Sequence, residues 1–509
     1  MNFTKITFVA LIFLSVTSSL LGTNYYISNT GNDKNDGKST STAWQTLAKE
    51  GKAELVAGDQ LLLAGGQSFD GSLQLENLKG TANAPITIGT FGKGNATINS
   101  DKNLAVKLHQ CSNIIIKNLT LKGCGRLNGN TANGLSLVQC TDCKVEYIDA
   151  SGYIWSGINI ASCNNTQISH CSAHDNGFSG ISTEGRKTMS RNIVIDHCTA
   201  DNNPGSPIIK TNHSGNGILI GGVTNCLVEY CEASNNGWDM PRPGNGPVGI
   251  WAYSADSVVI QYCIAHHNKT SATGKDGGGF DLDGGVTNSI LQYNYSYLNE
   301  GAGYGLFQYL DAADWRHNIM RYNISVDDGS KNGKCGILFW SDKDNKVNNM
   351  SDVWVYNNTI INSFGHAVNY QDSTPTNCHL MNNIFVSKLA PIGSNYSQSS
   401  YSNNLYWMYE TGKFQVDSYT SLETWSKATG QERNSGKVTD PLLVGPINVI
   451  EPITDPTKIT TLSAYKLLTN SPCIGAGVVI KDSGGKDLWG TTLSPNGGKV
   501  DLGACQLAK

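Results

Sequence analysis

Long apolar runs are scarce in this sequence. After residues 8–14 no stretch is long and apolar enough to cross a bilayer, so no membrane span is expected in the body of the chain. Charge is scarce as well: Asp, Glu, Lys and Arg make up 15% of the residues and the net charge is −4. A nucleic-acid footprint needs a basic face, and none is visible, so no nucleic-acid partner is expected. No H-E-x-x-H zinc pattern occurs among ten scattered His, and Cys140-x-x-Cys143 stands without a second half. These gaps leave no metal site to assign. What is abundant is glycine, 56 residues of 509. With a modest 39% of apolar residues, turns rather than helices set the architecture.

Residues 1–22 contain one Lys at position 5, the apolar run, then small and polar residues up to Thr23. That is the pattern of a secretory signal peptide. No Cys lies near the expected cleavage point, so a lipid anchor is not indicated and the mature protein is expected to be secreted or periplasmic. Fourteen Cys in an exported chain raise the question of disulfides. Most sit at repeat positions where a small buried filler explains them; Cys473 and Cys505 near the C-terminus are the candidate pair.

The chain repeats itself between about residues 100 and 390. One signature is Gly-apolar-x-apolar, beginning at Gly134, Gly157, Gly180, Gly217, Gly249, Gly279, Gly305 and Gly336. A second is a short Val/Ile-rich strand closing on Asn118, Ile148, Cys171, Cys198, Cys231, Cys263, Asn294, Asn323, Asn357 and Asn382, at spacings of 23 to 34 residues. A period in that range means a solenoid. Short β-branched segments between Gly/Asn turns make the unit a β coil, whose rungs bury their apolar rows against each other. The Asn of the column are expected to form a side-chain ladder. The boundaries read as 24–100 for an N-terminal cap and first rungs, 101–395 for the β-helix and 396–509 for a C-terminal cap segment.

On the Gly-apolar strand the apolar residues face inward, so the alternate positions face out. Rung by rung the outward pairs read Trp251 and Tyr253, Asp281 and Asp283, Phe307 and Tyr309, Leu338 and Trp340. Stacked rungs lie about 4.8 Å apart, so this reading brackets the acids directly between aromatic pairs. Planar rings beside carboxylates suit sugars, which offer apolar C–H faces and hydroxyl edges. Extra residues gather just before this strand, at 203–216, 237–248, 268–278, 299–304 and 327–335. Insertions collected on one edge of a solenoid line its binding face. They bring Lys210, His213, Asp239, Arg242, Lys275, Asp276 and Glu300 towards the acids.

The repeats, the leader and the two ends together resemble the right-handed parallel β-helix proteins of the pectate-lyase-like superfamily. The resemblance runs from the opening Tyr25-Tyr-Ile-Ser-Asn-Thr-Gly-Asn-Asp33 to the closing Ser471-Pro-Cys-Ile-Gly-Ala476. It implies an all-β, single-stranded right-handed parallel β-helix with caps at both ends. That superfamily contains lyases, hydrolases, epimerases and non-catalytic binders, so the fold does not choose the reaction. The block Asp276-Gly-Gly-Gly-Phe-Asp281-Leu-Asp283 is similar to a pectate-lyase strand reading Gly-x-Gly-Phe-Lys-Leu-Gly, but Asp281 stands where the proton-abstracting lysine would be. β-Helix glycosidases of the lacto-N-biosidase type use two aspartates seven apart as acid and nucleophile, the spacing of Asp276 and Asp283.

The leading expectation is therefore a glycoside hydrolase acting on a polysaccharide or oligosaccharide without a cofactor. Its carboxyls come from Asp276, Asp281, Asp283 and Glu300, with Asp283 as nucleophile or base and Asp276 or Asp281 as acid. Trp251, Tyr253, Phe307, Tyr309, Trp340, Lys210, His213 and Arg242 are the substrate-binding candidates. The first alternative is a polysaccharide lyase acting on a uronate-containing glycan. There the same acids hold Ca²⁺, and a lysine such as Lys275 or Lys210 takes the proton. The second is a non-catalytic glycan-binding solenoid.

Overall fold

The structure, a computed structural model, describes residues 22–507 apart from 53, 185–187, 343, 345–348, 373–374, 394–395, 397, 434 and 494–497. The expected leader lies outside the described residues but for its last position. The fold is the parallel β-helix anticipated from the repeats. One sheet stacks eleven strands in chain order, from Leu73–Glu76 to His366–Asp372. A second, continuous sheet of 26 strands wraps the remaining sides. No helix among the described residues is long and apolar enough to cross a membrane.

The coil follows from the alternation. On the eleven-strand sheet Ile158, Ile181, Ile218, Ile250, Phe280, Tyr304 and Ile337 stand in register on successive rungs. Each is at most 1% exposed, so one inward row per strand makes a continuous core. At the corners the turn residues adopt left-handed φ, and the backbone N–H groups they free are taken up by buried amides. Cys263 N donates to Asn294 Oδ1 at 3.0 Å and Asn294 N to Asn323 Oδ1 at 3.0 Å. The ladder continues through Asn358, Asn383 and Asn404 to the Glu432 carboxylate.

The ladder thus runs through Asn358 and Asn383, not Asn357 and Asn382. Those two occupy the preceding left-handed turn position, with φ of 53° and 56°. Asn118, φ 57°, likewise precedes the Leu119 that pairs with Ile148. A second ladder was not anticipated: Asn176, Asn203, Asn236, Asn268 and Asn299 pass hydrogen bonds rung to rung and end on Asp328. All fourteen Cys are free thiols. Cys473 and Cys505 are both buried in the C-terminal segment without bonding, contrary to the suggested pair. Cys171, Cys198, Cys231 and Cys263 fill one corner as buried side chains.

The C-terminal region is more than an end cap. Strand pairing continues past residue 395 through Ser399–Ser402 and Leu405–Met408. The helix Leu422–Thr429, capped by the Ser421 side chain and by Gly430 at φ 77°, lays Trp425 against Tyr401, Tyr406 and Phe414 to close the core. The remaining tail turns back along the flank. Asp482 O accepts from Arg321, Lys486 O from Tyr293, Ile453 O from Tyr297 and Val478 O from Asn382.

Candidate active site

The strand Gly278–Leu282 lies within the eleven-strand sheet, between Val248–Tyr253 and Tyr304–Gln308. Phe280 and Leu282 turn into the core, 1% and 0% exposed, which forces Asp281 onto the outer face. Its rung neighbours are Trp251 on one side and Gly305 on the other. The expected flank of Phe307 beside Asp281 is therefore off by two residues. The run Gly301-Ala-Gly303-Tyr-Gly305 offers more than one glycine to align, and Gly303 takes the structural position. A Cβ there would sit 2.4 Å from Asp328 Oδ2 and Ser325 Oγ. Gly305 instead faces the acid: a Cβ on it would come within 3.0 Å of Asp281 Oδ1 and 2.8 Å of the Phe307 ring. Phe307 then pairs with Trp340 across the next rung, rings 6.1 Å apart and 80° from parallel.

The other two acids sit at the ends of the same strand. Asp276 enters it in a left-handed turn, φ 57°, a conformation Asp tolerates better than most residues. Its Oδ2 accepts from Gly246 N at 2.6 Å. Asp283 leaves the strand and its Oδ1 accepts from Gly284 N at 2.7 Å. Asp281 is 2% exposed and its Oδ1 has no hydrogen-bond partner. Burial pushes Asp276 up to about 6, against the pull of Gly246 N–H, Lys275 and Arg242. Burial, with the Asp276 charge adding to it, pushes Asp283 up to about 7. Asp281 is held well above the carboxylate range, first by burial and then by Asp283 and Asp276.

Loops and aromatics close over these acids to make a cleft of about 490 Å³. Asp276, Asp281, Asp283, Trp251, Tyr253, Phe307, Tyr309, Trp340, His213 and Arg242 all line it. A second chamber of about 470 Å³ continues on the far side and shares Asp276, Asp281, Lys275 and Phe307 with the first. Two sequence candidates fall outside both. Lys210 stays exposed in its loop. Glu300 braces the neighbouring loop, accepting from Thr270 N at 2.9 Å and pairing with Lys331 at 3.6 Å. Its turn needed an acceptor, which is why an acid stands there.

The aromatic wall is fixed by hydrogen bonds that also set a protonation state. Trp251 Nε1 donates to Asn216 Oδ1 at 3.1 Å, which orients the amide. Asn216 Nδ2 then donates to His213 Nδ1 at 3.1 Å, leaving the ring proton on Nε2. Burial first, then Arg242, push His213 down to about 4, so this imidazole is neutral near pH 7. Trp251 Nε1 and His213 are thus held by one Asn, and the rings meet edge to face at 4.8 Å.

Sequence reading missed Gln371 and Asp372, which reach the cleft from the strand His366–Asp372. That rung pairs Val368 with Ile337, but Ala367 replaces the signature glycine and hid the repeat. Asp372 Oδ2 accepts from Trp340 Nε1 at 2.6 Å. Outside the cleft, among the described residues, His170, Asp196 and His197 bring ligand atoms within 4.8 Å of one another. The two imidazoles stack with planes 7° apart, so no single point lies in both ring planes, where their lone pairs direct a metal.

Comparison with known proteins agrees with this architecture. The family model described as right handed beta helix region matches residues 208–351. The chain is similar to a lacto-N-biosidase of Bifidobacterium longum subsp. longum, 24% identical, with 62% of this chain and 26% of that protein aligned. Among solved structures it is similar to the GH136 lacto-N-biosidase of Eubacterium ramulus, at TM-score 0.51 and 20% identity, covering 74% of this chain and 65% of that one. It is also similar to pectate lyase Pel9A, at TM-score 0.44 and 15% identity, covering 95% of this chain and 96% of that one. The chain spans only part of the two lacto-N-biosidases, 26% and 65% of their lengths. The coil is a right-handed parallel β-helix of the kind found in the GH136 lacto-N-biosidase.

Proposed function

We propose that the protein is an exported glycoside hydrolase in which Asp276 and Asp283 are the acid and the nucleophile or base. The observation that carries this reading is the anchoring of the three acids. A carboxyl that passes a proton must be stable in both its charged and neutral forms. Asp276 and Asp283 each accept one backbone N–H and line the cleft with the rest of the group. Asp281 has no partner at Oδ1, and burial and the two neighbouring acids all disfavour its charged form. With Asp276 raised to about 6 and Asp283 to about 7, one carboxyl is charged while the other is protonated between those values, the state an acid-plus-nucleophile mechanism needs. The seven-residue spacing and the likeness to lacto-N-biosidases support the same pair.

The division of roles is separable. The empty cleft favours charge on Asp276, through Gly246 N–H, Lys275 and Arg242, whereas the sequence expectation gives the nucleophile to Asp283. Aryl glycosides with good leaving groups restore the variant that lacks the acid and not the one that lacks the nucleophile. The substrate is a glycan with an apolar sugar face for Tyr253, which stays part-exposed in the cleft over the buried Trp251.

One observation favours a second reading, a uronate-cleaving lyase. Lys275 is exposed and lines both chambers next to Asp276, the placement of a proton abstractor. A glycan-library screen that scores new reducing ends and ultraviolet absorbance together separates the two. A hydrolase yields reducing ends without unsaturated product and keeps its activity with a chelator; a lyase yields absorbance. A library with neither signal removes both readings.

A further inference from the structure

Three groups outside the assigned pair stand out: the stacked His170–His197 pair, the Lys275-lined second chamber and Asp281. The first lacks a common ligand direction, and the second rests on exposed lysines. Asp281 is buried at both chambers with an unpartnered oxygen.

Its place is built rather than incidental. It projects from the middle of a strand whose inward neighbours Phe280 and Leu282 pin the backbone. Trp251 fills the rung on one side. On the other side stands Gly305, where a Cβ would come within 3.0 Å of Asp281 Oδ1, so the position beside the carboxyl carries no side chain. A buried carboxyl oxygen without a partner is costly, and the fold keeps it at the junction of the two chambers. In the chain it stands between the two residues of the acid–nucleophile pair.

Resting on the hydrolase reading, we infer that Asp281 is a neutral hydrogen-bonding grip for a hydroxyl of the sugar at the cleavage point. It is a third carboxyl that binds substrate and takes no part in proton transfer. Its O–H is the donor and the substrate oxygen the acceptor, and no bond is made or broken at it. The surrounding burial and the two neighbouring acids keep it in that form. The neutral acid is also why an amide can replace it: Asn carries the same carbonyl and an N–H donor in place of the O–H.

The test compares Asp281→Asn, Asp281→Ala and Asp283→Asn on the glycan that the wild type cleaves, with kcat and KM measured separately across pH. Asp281→Asn is expected to stay within about tenfold of wild type in kcat/KM and to keep both limbs of the pH profile. Asp281→Ala is expected to lose about ten- to a hundredfold, the scale of one buried hydrogen bond, while melting no lower than wild type. Calorimetric affinity in the inactive Asp283→Asn background, with and without Asp281→Ala, reads the grip without turnover. Asp281→Asn as inactive as Asp283→Asn overturns the inference by putting Asp281 in the proton path. Full activity and unchanged affinity in Asp281→Ala overturn it from the other side. Failure of the hydrolase reading looks different: Asp283→Asn stays active, or no glycan is bound or cut, which removes the inference with it.

Discussion

Two buried carboxyls in this coil have nearly the same exposure and opposite surroundings. Asp328, 0% exposed, ends the second amide ladder. Its Oδ1 accepts from Asn299 N at 3.0 Å and Nδ2 at 2.8 Å, and its Oδ2 from Ser325 Oγ at 2.7 Å. Asp281, 2% exposed, leaves Oδ1 without a partner. Burial pushes both up, Asp328 to about 7. Depth and an elevated pKa therefore do not tell a structural acid from one facing a ligand. The satisfied lone pairs do.

The sharpest way to break this contrast is kinetic. Asp283→Asn is expected to lower kcat by about a thousandfold or more while the protein stays folded; a folded variant with wild-type turnover would falsify the assignment of the pair. Next in size is stability. Asp328→Ala strands the ladder donors and is expected to cost about 2–4 kcal/mol in urea unfolding, whereas Asp281→Ala removes an unpartnered group and costs about zero. Equal losses in the two variants erase the distinction.

A third test uses pH. Asp283 and Asp328, raised to about 7, and Asp276, raised to about 6, hold protons that the unfolded chain releases near its ordinary carboxyl pKa. The native state therefore binds more protons from about pH 4 to about 7, and stability falls as pH rises through that window. Melting temperature is expected to decline from pH 5 to pH 8, and Asp283→Asn to flatten the slope. Fourth, Tyr253→Ala is expected to raise KM about three- to tenfold through lost ring contact. Smallest, Glu300→Gln is expected to leave kcat/KM within about twofold, because its partners are Thr270 N–H and the half-exposed Lys331.

Much of this was legible in the sequence for a physical reason: a coil repeats its packing, so Gly-apolar-x-apolar and the corner residues recur. The outward placement of Asp281 followed from Phe280 and Leu282 alone. What was not legible came from degeneracy and from loops. Gly303 and Gly305 are equivalent to a pattern but not to a Cβ, and choosing the wrong one shifted Phe307 and Tyr309 by two, while Leu338 and Trp340 kept their register. Ala367 serves where glycine was sought, so Gln371 and Asp372 went unseen. Whether an insertion folds over the acids or stands clear depends on its own hydrogen bonds, which is why Arg242 reaches the cleft while Lys210 and Glu300 do not.

The returning tail changes how this coil comes apart. A stack held only by adjacent layers unzips from either end. Here the segment that grips Arg321, Tyr293 and Tyr297 runs back over layers laid down long before it, like a strap across the later half. Those layers open only after the strap peels, so fraying starts at the opposite, unstrapped end, and the cleft sits on the protected side of that divide.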